Sequence, residues 1–505
     1  MDANGQKNHL RAYGVVFAAM REGIVVEWLL NYKGGSFAMD NVSNVEELCS
    51  QNGITCKEMS DNEYYRIIKL IKAAGFNGQV IKLDKAPRIA VYTPLNKEPW
   101  DDAVTMVLTY AGIPFDKIYA DEVLEGDLEK YDWLHLHHED FTGEYSKFWA
   151  NYHNTLWYRN DKVTMESLAA KHGFEKVAQL QGAVVKKIRE FVRGGGNMFA
   201  MCTATETFDI ALAAAGVDIC DTPYDGDPPD PHTNEKLNYE NCLAFKSFKI
   251  VTDPYLPTHS DIDFTSLVVP EQYDYFALVT TSAKLDPVAS MLSQDHVSMI
   301  KGFMGQTTAF REELLKKGTL ILGKNIPVKT GTYPNCEYNN KRVKYIHGSF
   351  GKGTWTFYGG HDPECYKHLV GSAPPDLSLF PNSPGYRLIL NNLLLPAAKN
   401  AIKQDVHTAV STENIVEAKT IIDNLGSKMR MYTDSRENEL IIINETIETP
   451  RTGNQVTVII ATLSGNEIIN QSYNTKKIRV DIKELPAGMY QVKVDGQYMG
   501  KIVKE

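Results

Sequence analysis

The sequence predicts an α/β fold: a doubly wound, mainly parallel sheet with helices on both faces, followed by a small C-terminal all-β sandwich. Three observations predict it. From about residue 86 to 400, short apolar runs alternate with segments of helical spacing, the β–α–β–α order of a parallel sheet. The stretch Gly194-Gly195-Gly196-Asn197-Met198-Phe199-Ala200-Met201-Cys202-Thr203-Ala204 reads as a helix end, a buried strand, and a cysteine at the start of the next helix. From 436 onward, short strands are separated by turns such as Ser464-Gly465-Asn466 and Leu485-Pro486-Ala487-Gly488.

Residues 1–85 read as an α/β unit packed on the core. Helical periodicity covers 9–20, Val25-Val26-Glu27-Trp28-Leu29-Leu30 is a strand, and a second helix over 62–74 is entered through Ser60-Asp61. A doubly wound sheet that opens on a helix lacks its first strand, so a strand is expected upstream of Met1. Arg88-Ile89-Ala90-Val91-Tyr92-Thr93 starts the main domain, 86–400. A helix over 100–110 follows, then a strand over 131–140 that ends in His135-Leu136-His137-His138-Glu139-Asp140. The acidic, proline-rich stretch 221–232 lacks EF-hand spacing and reads as a solvated loop. Helical stretches are expected within 286–305 and 307–316. Strands at 343–347 and 354–358 flank a glycine-rich, hairpin-like turn, and 384–396 is a closing helix. A polar linker spans 401–435, and strands are expected at 440–444, 456–463, 478–482 and 490–494 of the sandwich, 436–505.

The net charge of −10 and the lack of a basic stripe argue against a nucleic-acid partner. There is no run of about 18 apolar residues to cross a membrane. Met1-Asp2-Ala3-Asn4-Gly5-Gln6 has neither the charged nor the apolar region of a signal peptide. The seven cysteines are scattered without zinc-ribbon spacing, and their odd number leaves at least one thiol unpaired within the chain.

Strand, cysteine, helix, with small residues around the cysteine, is the layout of a nucleophile elbow. Cys202 is therefore the candidate nucleophile, and a buried structural cysteine is the alternative. His361, turned over the sheet edge by Gly359-Gly360, is the candidate base, with Glu364 or Asp362 to orient it. The backbone N–H of Thr203 would meet an oxyanion. Glu206, His138, Glu139, Gly360 and Asp362 are expected around a small-molecule substrate. A metal site from His135, His137 and His138 with Glu139 or Asp140 is a further reading. His135 and His137 share a strand face and His138 does not, so a ligand from elsewhere would be needed. The expected site contains no metal and no cofactor.

The elbow resembles that of the class I glutamine amidotransferase-like superfamily, which implies a flavodoxin-like sheet and a Cys–His–Glu triad over about 86–400. Here Ala200 and Ala204 stand where that superfamily has glycines, and His361 and Glu364 are three apart rather than two. Tyr358-Gly359-Gly360-His361-Asp362-Pro363-Glu364 looks more like the trehalose-utilisation (ThuA-like) branch, which has no dependable cysteine nucleophile. Several stretches are similar to a bacterial family labelled asparagine synthetase B: Ala12-Tyr13-Gly14, Val26-Glu27-Trp28-Leu29-Leu30-Asn31-Tyr32-Lys33-Gly34-Gly35-Ser36-Phe37, Lys301-Gly302-Phe303-Met304-Gly305-Gln306-Thr307-Thr308-Ala309-Phe310, Gly353-Thr354-Trp355-Thr356-Phe357-Tyr358 and Asn382-Ser383-Pro384-Gly385-Tyr386-Arg387. Members of that family begin with a leader and one more strand. A true ATP-dependent asparagine synthetase needs an N-terminal cysteine and a Ser-Gly-Gly-x-Asp-Ser loop; position 2 is Asp2 and the loop is missing.

The tail, with Leu485-Pro486-Ala487-Gly488-Met489-Tyr490-Gln491-Val492-Lys493-Val494, resembles the C-terminal sorting domain of type IX secretion substrates. This implies that the secretion machinery is a partner through 436–505, and a secreted or cell-surface location. Without the tail resemblance, the chain would read as cytoplasmic. Two functions follow from these readings. One is an exported thiol-dependent hydrolase of an amide or related carbonyl. The other is a non-catalytic protein that binds a small ligand or carbohydrate at the cell surface.

Overall fold

A ten-stranded mixed sheet organises the larger part of the chain. The structure is a computed structural model. It describes residues 5–94, 102–264, 274–295, 297–302, 305–326, 342–365 and 373–398, and in the tail 429–434, 439–444, 456–462, 467–473, 477–486, 488–495 and 497–504. It divides into two units, residues 1–60 with 78–404 and residues 61–77 with 405–505.

The first unit opens on the helix His9–Arg21. Asn8 caps it by accepting a hydrogen bond from the Arg11 amide at 3.0 Å, which satisfies one of the free N–H groups of the first turn. Strands β1 (Val26–Leu29), β2 (Ser36–Met39) and β3 (Val80–Leu83) form a small antiparallel sheet with β1 in the middle. Its residues Trp28, Leu30, Ile81 and Leu83 share a hydrophobic core with Ile89 and Val91 of the main sheet.

The main sheet contains β4 (Ile89–Tyr92), β5 (Asp116–Ile118), β6 (Trp133–Leu136), β7 (Asn197–Met201), β8 (Tyr275–Leu278), β9 (Met299–Lys301), β10 (Phe310–Arg311), β11 (Leu320–Asn325), β12 (Arg342–Phe350) and β13 (Gly353–Tyr358). Their order is β5-β4-β6-β7-β13-β12-β11-β8-β9, with β10 beside β12. Alternate residues point to opposite faces. Met198 and Ala200 of β7 therefore join one core, with the helices Val177–Gly194 and Ala204–Ala213. Phe199 and Met201 join the other, with the helices His9–Arg21, Ala103–Ala111 and Pro384–Leu394. Both faces of the sheet are covered.

The expectation of a mainly parallel sheet needs correcting. Parallel pairing runs from β5 through β4, β6 and β7 to β13. From β13 outward the pairings with β12, β11, β8 and β9 are antiparallel. The reason is local: β12 and β13 are joined by a tight turn at Gly351, φ 62°, and a turn of that length can only return the chain antiparallel. The helical stretches expected over 286–305 and 307–316 also shrink. Among the described residues of these stretches only Pro287–Leu292 is α-helical, and Glu312–Leu314 makes a 3-10 turn; Met299–Lys301 alternates exposed, buried, exposed and pairs as β9, and Phe310–Arg311 is β10.

In the tail, β14 (Met429–Asp434), β15 (Glu439–Asn444) and β18 (Lys477–Asp481) make one antiparallel sheet. The other contains β16 (Val456–Thr462), β17 (Glu467–Tyr473), β19 (Gly488–Val494) and β20 (Gln497–Lys504). Leu440, Ile442, Ile478 and Val480 from the first sheet and Val458, Ile460 and Val492 from the second form one buried cluster, as in a sandwich. Of the expected linker, 401–428 lies outside the described residues and 429–434 is strand β14. No helix among the described residues is long and apolar enough to cross a membrane.

Gly14 sets the distance between the helices His9–Arg21 and Ala103–Ala111. A Cβ at Gly14 would lie 1.8 Å from the carbonyl oxygen of Ala111, and backbone cannot yield as a side chain can. Gly14→Ala should therefore destabilise the α/β unit by about 1–3 kcal/mol. All six tryptophans precede residue 405, so urea unfolding followed by tryptophan fluorescence reads this unit alone. An unchanged midpoint would mean that the two helices can separate at no cost.

Candidate functional site

Neighbouring strands β6, β7 and β13 end side by side, Leu136 beside Ala200 and Met201 beside Tyr358. The residues just past their carboxyl ends, His137 and His138, Cys202, and His361, therefore converge. Cys202 has φ 53°, a left-handed conformation that costs a non-glycine residue about 1–2 kcal/mol. The neighbouring strand ends hold it there. The Cys202 amide donates to the Gly360 carbonyl at 3.1 Å, and the Ala204 amide donates to the His137 carbonyl at 3.1 Å. Gly360 has φ 102°, which a side chain would resist.

The thiol is only 1 % exposed. Its Sγ accepts from the Gln306 amide at 3.4 Å and lies 3.7 Å from the Thr203 hydroxyl. Burial pushes the thiol pKa up, and the N–H groups of Gln306, Thr307 and Thr203 partly oppose this by favouring the thiolate. Gln306 roofs the thiol. Its side-chain oxygen accepts from Thr203 at 2.5 Å, and its amide nitrogen donates to the Ser146 carbonyl at 2.8 Å.

His361 stands in a group of imidazoles. Its ring centroid lies 4.3 Å from that of His137 and 5.6 Å from that of His138, and His137 and His138 are 4.9 Å apart. One donor atom from each of the three lies within 4.8 Å of the others. Beneath them is Asp102, which caps the helix Ala103–Ala111 by accepting from the Val104 and Thr105 amides. Its other oxygen faces His135 Nε2 and His137 Nδ1, each at 3.2 Å. Burial would raise the Asp102 pKa, but His135 and His137 outweigh it and hold the carboxyl well below its ordinary range. The far nitrogens of the two rings are also oriented: His135 Nδ1 donates to the Phe199 carbonyl and His137 Nε2 to the His361 carbonyl.

The other expected site residues take separate places. Glu206 is buried and accepts from Ser260 at 2.8 Å and Thr307 at 2.7 Å. Glu139 turns towards the Tyr119 hydroxyl, 3.4 Å away. Asp362 accepts from the Glu364 amide at 2.9 Å. Glu364 accepts from Ser383, the N-cap of the helix Pro384–Leu394. The metal reading of the sequence takes His135, His137 and His138 with Glu139 or Asp140, and His137 lies in both of the groups that form. The structure puts His135 in the buried Asp102 group and His138 with His361.

A second network runs under the elbow. His259 lies between Asp140 at 3.5 Å and Glu206 at 3.9 Å. Glu144 pairs with Lys147 at 2.6 Å, and all of these side chains are buried. Asp140 also accepts from the amides of Thr142 and Ser146. Sequence reasoning missed Asp102, Gln306 and His259. Asp102 carried a local signal as a helix N-cap; the other two carried none.

Residues 437–505 match the family described as Secretion system C-terminal sorting domain. The tail marks the chain as a type IX secretion substrate carried to the cell surface or exterior. No curated protein matches the sequence. Among solved structures, the cytoplasmic protein STM3548 from Salmonella typhimurium is 10 % identical, over 61 % of this chain and 97 % of that one, with a TM-score of 0.29. The cytoplasmic protein STM1381 from Salmonella typhimurium LT2 is 12 % identical, over 64 % and 92 %, with a TM-score of 0.29. Gan42B, a GH42 beta-galactosidase, is 10 % identical with a TM-score of 0.25; the match covers 83 % of this chain and 41 % of that enzyme. Likenesses this distant carry no argument about function.

The buried network has a pH consequence. Burial lifts Glu144 from 4.5 to about 7, so the fold keeps a proton that the unfolded chain releases. Burial alone would lower His259, but Asp140 and Glu206 raise it above 6.5, so it too holds its proton longer when folded. In both cases the folded state binds more protons, and the stability these two groups contribute falls as pH rises from about 4.5 through 7 and above. Burial lowers His135 and His347, the latter to about 4, and these oppose that trend in the unit as a whole, so the network is read as a difference between wild type and variant. His259→Gln should cost about 3 kcal/mol in urea unfolding at pH 5, because two buried carboxylates lose the cation between them, and less at pH 8. A cost that is equal at the two pH values, or larger at pH 8, would overturn this assignment.

Proposed function

We propose that this exported protein is a thiol-dependent hydrolase of a small amide or related carbonyl compound, built on a class I glutamine amidotransferase-like α/β domain. The left-handed turn at Cys202, between β7 and the helix Ala204–Ala213, carries the reading: a strained strand-to-helix turn at that point is what a nucleophile elbow requires. The order of the five parallel strands, β5-β4-β6-β7-β13, supports the flavodoxin-like form of the fold. The strand-end glycine before His361, whose carbonyl takes the Cys202 N–H, supports that histidine as the base.

Because burial disfavours the free thiolate, an imidazole has to take the Sγ proton as attack begins. The sulfur then bonds to the carbonyl carbon, and the oxyanion is met by backbone N–H groups such as those of Thr203 and Gln306. The imidazolium returns the proton to the leaving amine, and water hydrolyses the thioester. In this reading Thr203, His138 and Gly360, beside the turn at Cys202, are the groups nearest the substrate, while the carboxylates of Glu206, Glu139, Asp362 and Glu364 are engaged by Ser260 and Thr307, Tyr119, the Glu364 amide and Ser383 respectively. The alternative, a non-catalytic surface protein that binds a small ligand, is favoured by the 1 % exposure of the thiol under Gln306.

Treating the intact chain with p-nitrophenyl acetate separates the two. The hydrolase reading expects an acetyl adduct on Cys202, absent in Cys202→Ala and formed about 100-fold more slowly in His361→Ala. Acetylation confined to other residues, or indifferent to His361, would favour the binding protein.

Export has its own test. Behind a Sec leader in a bacterium with a type IX system, the full chain should reach the surface or medium. A version ending at residue 436 should stay in the periplasm. Equal export of the two would take the sorting role away from 437–505.

A further inference from the structure

The geometry points to a transition-metal site formed by His137, His138 and His361 at the carboxyl ends of β6 and β13. Three imidazoles with one donor atom apiece inside a 4.8 Å spread are a ligand set for a borderline divalent cation such as zinc, cobalt or nickel. The set contains no carboxylate oxygen, so magnesium and calcium are disfavoured. Tetrahedral coordination needs donors about 3.4 Å apart. His138 and His361 are less buried than His137, and binding requires their rings to turn so that the donors close that gap.

Asp102 supplies the second observation. Its carboxylate lies 3.2 Å from His137 Nδ1, the carboxylate–histidine pairing that fixes a ligating ring and leaves Nε2 for the metal. His137 Nε2 now lies 3.1 Å from the His361 carbonyl, and metal binding exchanges that contact for a metal bond and releases a proton. The fully buried group of Asp102, His135 and His137 is the support of this site: the carboxylate is already held by two amides and two rings. Three protein ligands leave a fourth position open to water or substrate.

The inference goes beyond the thiol reading and does not rest on it. The two meet at His361: a bound cation takes its lone pair, so an occupied site silences the thiol.

Titrating the full chain with cobalt(II) tests the proposal through the visible absorption of tetrahedral cobalt. One equivalent should give the band. His138→Ala and His361→Asn should each lose it while keeping the wild-type urea midpoint. Asp102→Asn should weaken binding about 10–100-fold. Cys202→Ser should bind as wild type, so a failed acylation experiment leaves this result standing. The proposal is overturned if the wild type gives no tetrahedral band, or if the band survives both histidine substitutions. A thiolate-to-cobalt band lost in Cys220→Ser would overturn it by placing the ion at Asp218, Cys220 and Asp225, whose donor atoms also cluster.

Discussion

The left-handed residue at Cys202 is the constraint around which the site is built. Such a conformation persists only when its surroundings over-determine it. Here the carbonyl groups of Gly360 and His137, each just past the end of a flanking strand, take the amides on either side of the turn. The same two hydrogen bonds fix the backbone of the residues that carry the imidazoles. Strain at the cysteine and convergence of the histidines are thus one feature of three parallel strand ends in register.

The stretch 306–308 completes the enclosure, and each of its residues is tied down. The Gln306 amide meets Sγ, the Thr307 carbonyl accepts from the Gly360 amide at 2.7 Å, and the Thr308 carbonyl accepts from Lys344 at 3.0 Å. Burial lowers that lysine to about 8, so holding a cation so deep is itself costly. A thiol under a fixed roof is protected from solvent and oxidant. Reaching it requires either a narrow substrate or movement of Gln306.

Much of this was legible in the sequence where the signal was local. The β7–Cys202–helix run, the helix at His9–Arg21, the β12–β13 turn and the tail strands all carry their pattern within about ten residues. Beyond the β12–β13 hairpin the antiparallel half of the sheet was not legible: β9 lies inside a stretch read as helical, and strands as short as β8 and β11 carry nothing that fixes the direction of a neighbour. Asp102 shows the limit at the site. An aspartate before Ala103-Val104-Thr105 announces a helix cap, but its contact with His135 and His137 arises only when β4 and β6 pair in parallel. Glu364 shows the converse: it lies close to His361 in sequence, yet its carboxylate is engaged by the cap of the next helix.

The buried charges under the elbow bear on why the site is rigid. Replacing buried ion pairs with apolar side chains often raises stability, so stability alone does not explain Asp140, His259, Glu206, Glu144 and Lys147. What they touch is more telling. Tyr145, Ser146 and Lys147 all have positive φ, an expensive run for three non-glycine residues. Asp140 takes the Ser146 amide, and Lys147 is gripped by Glu144 and the Val251 carbonyl. The run so held presents the Ser146 carbonyl to Gln306, and Glu206 holds Thr307 from the other side. The network therefore ends at the roof of the thiol from two directions, and its cost is offset by the placement of one glutamine.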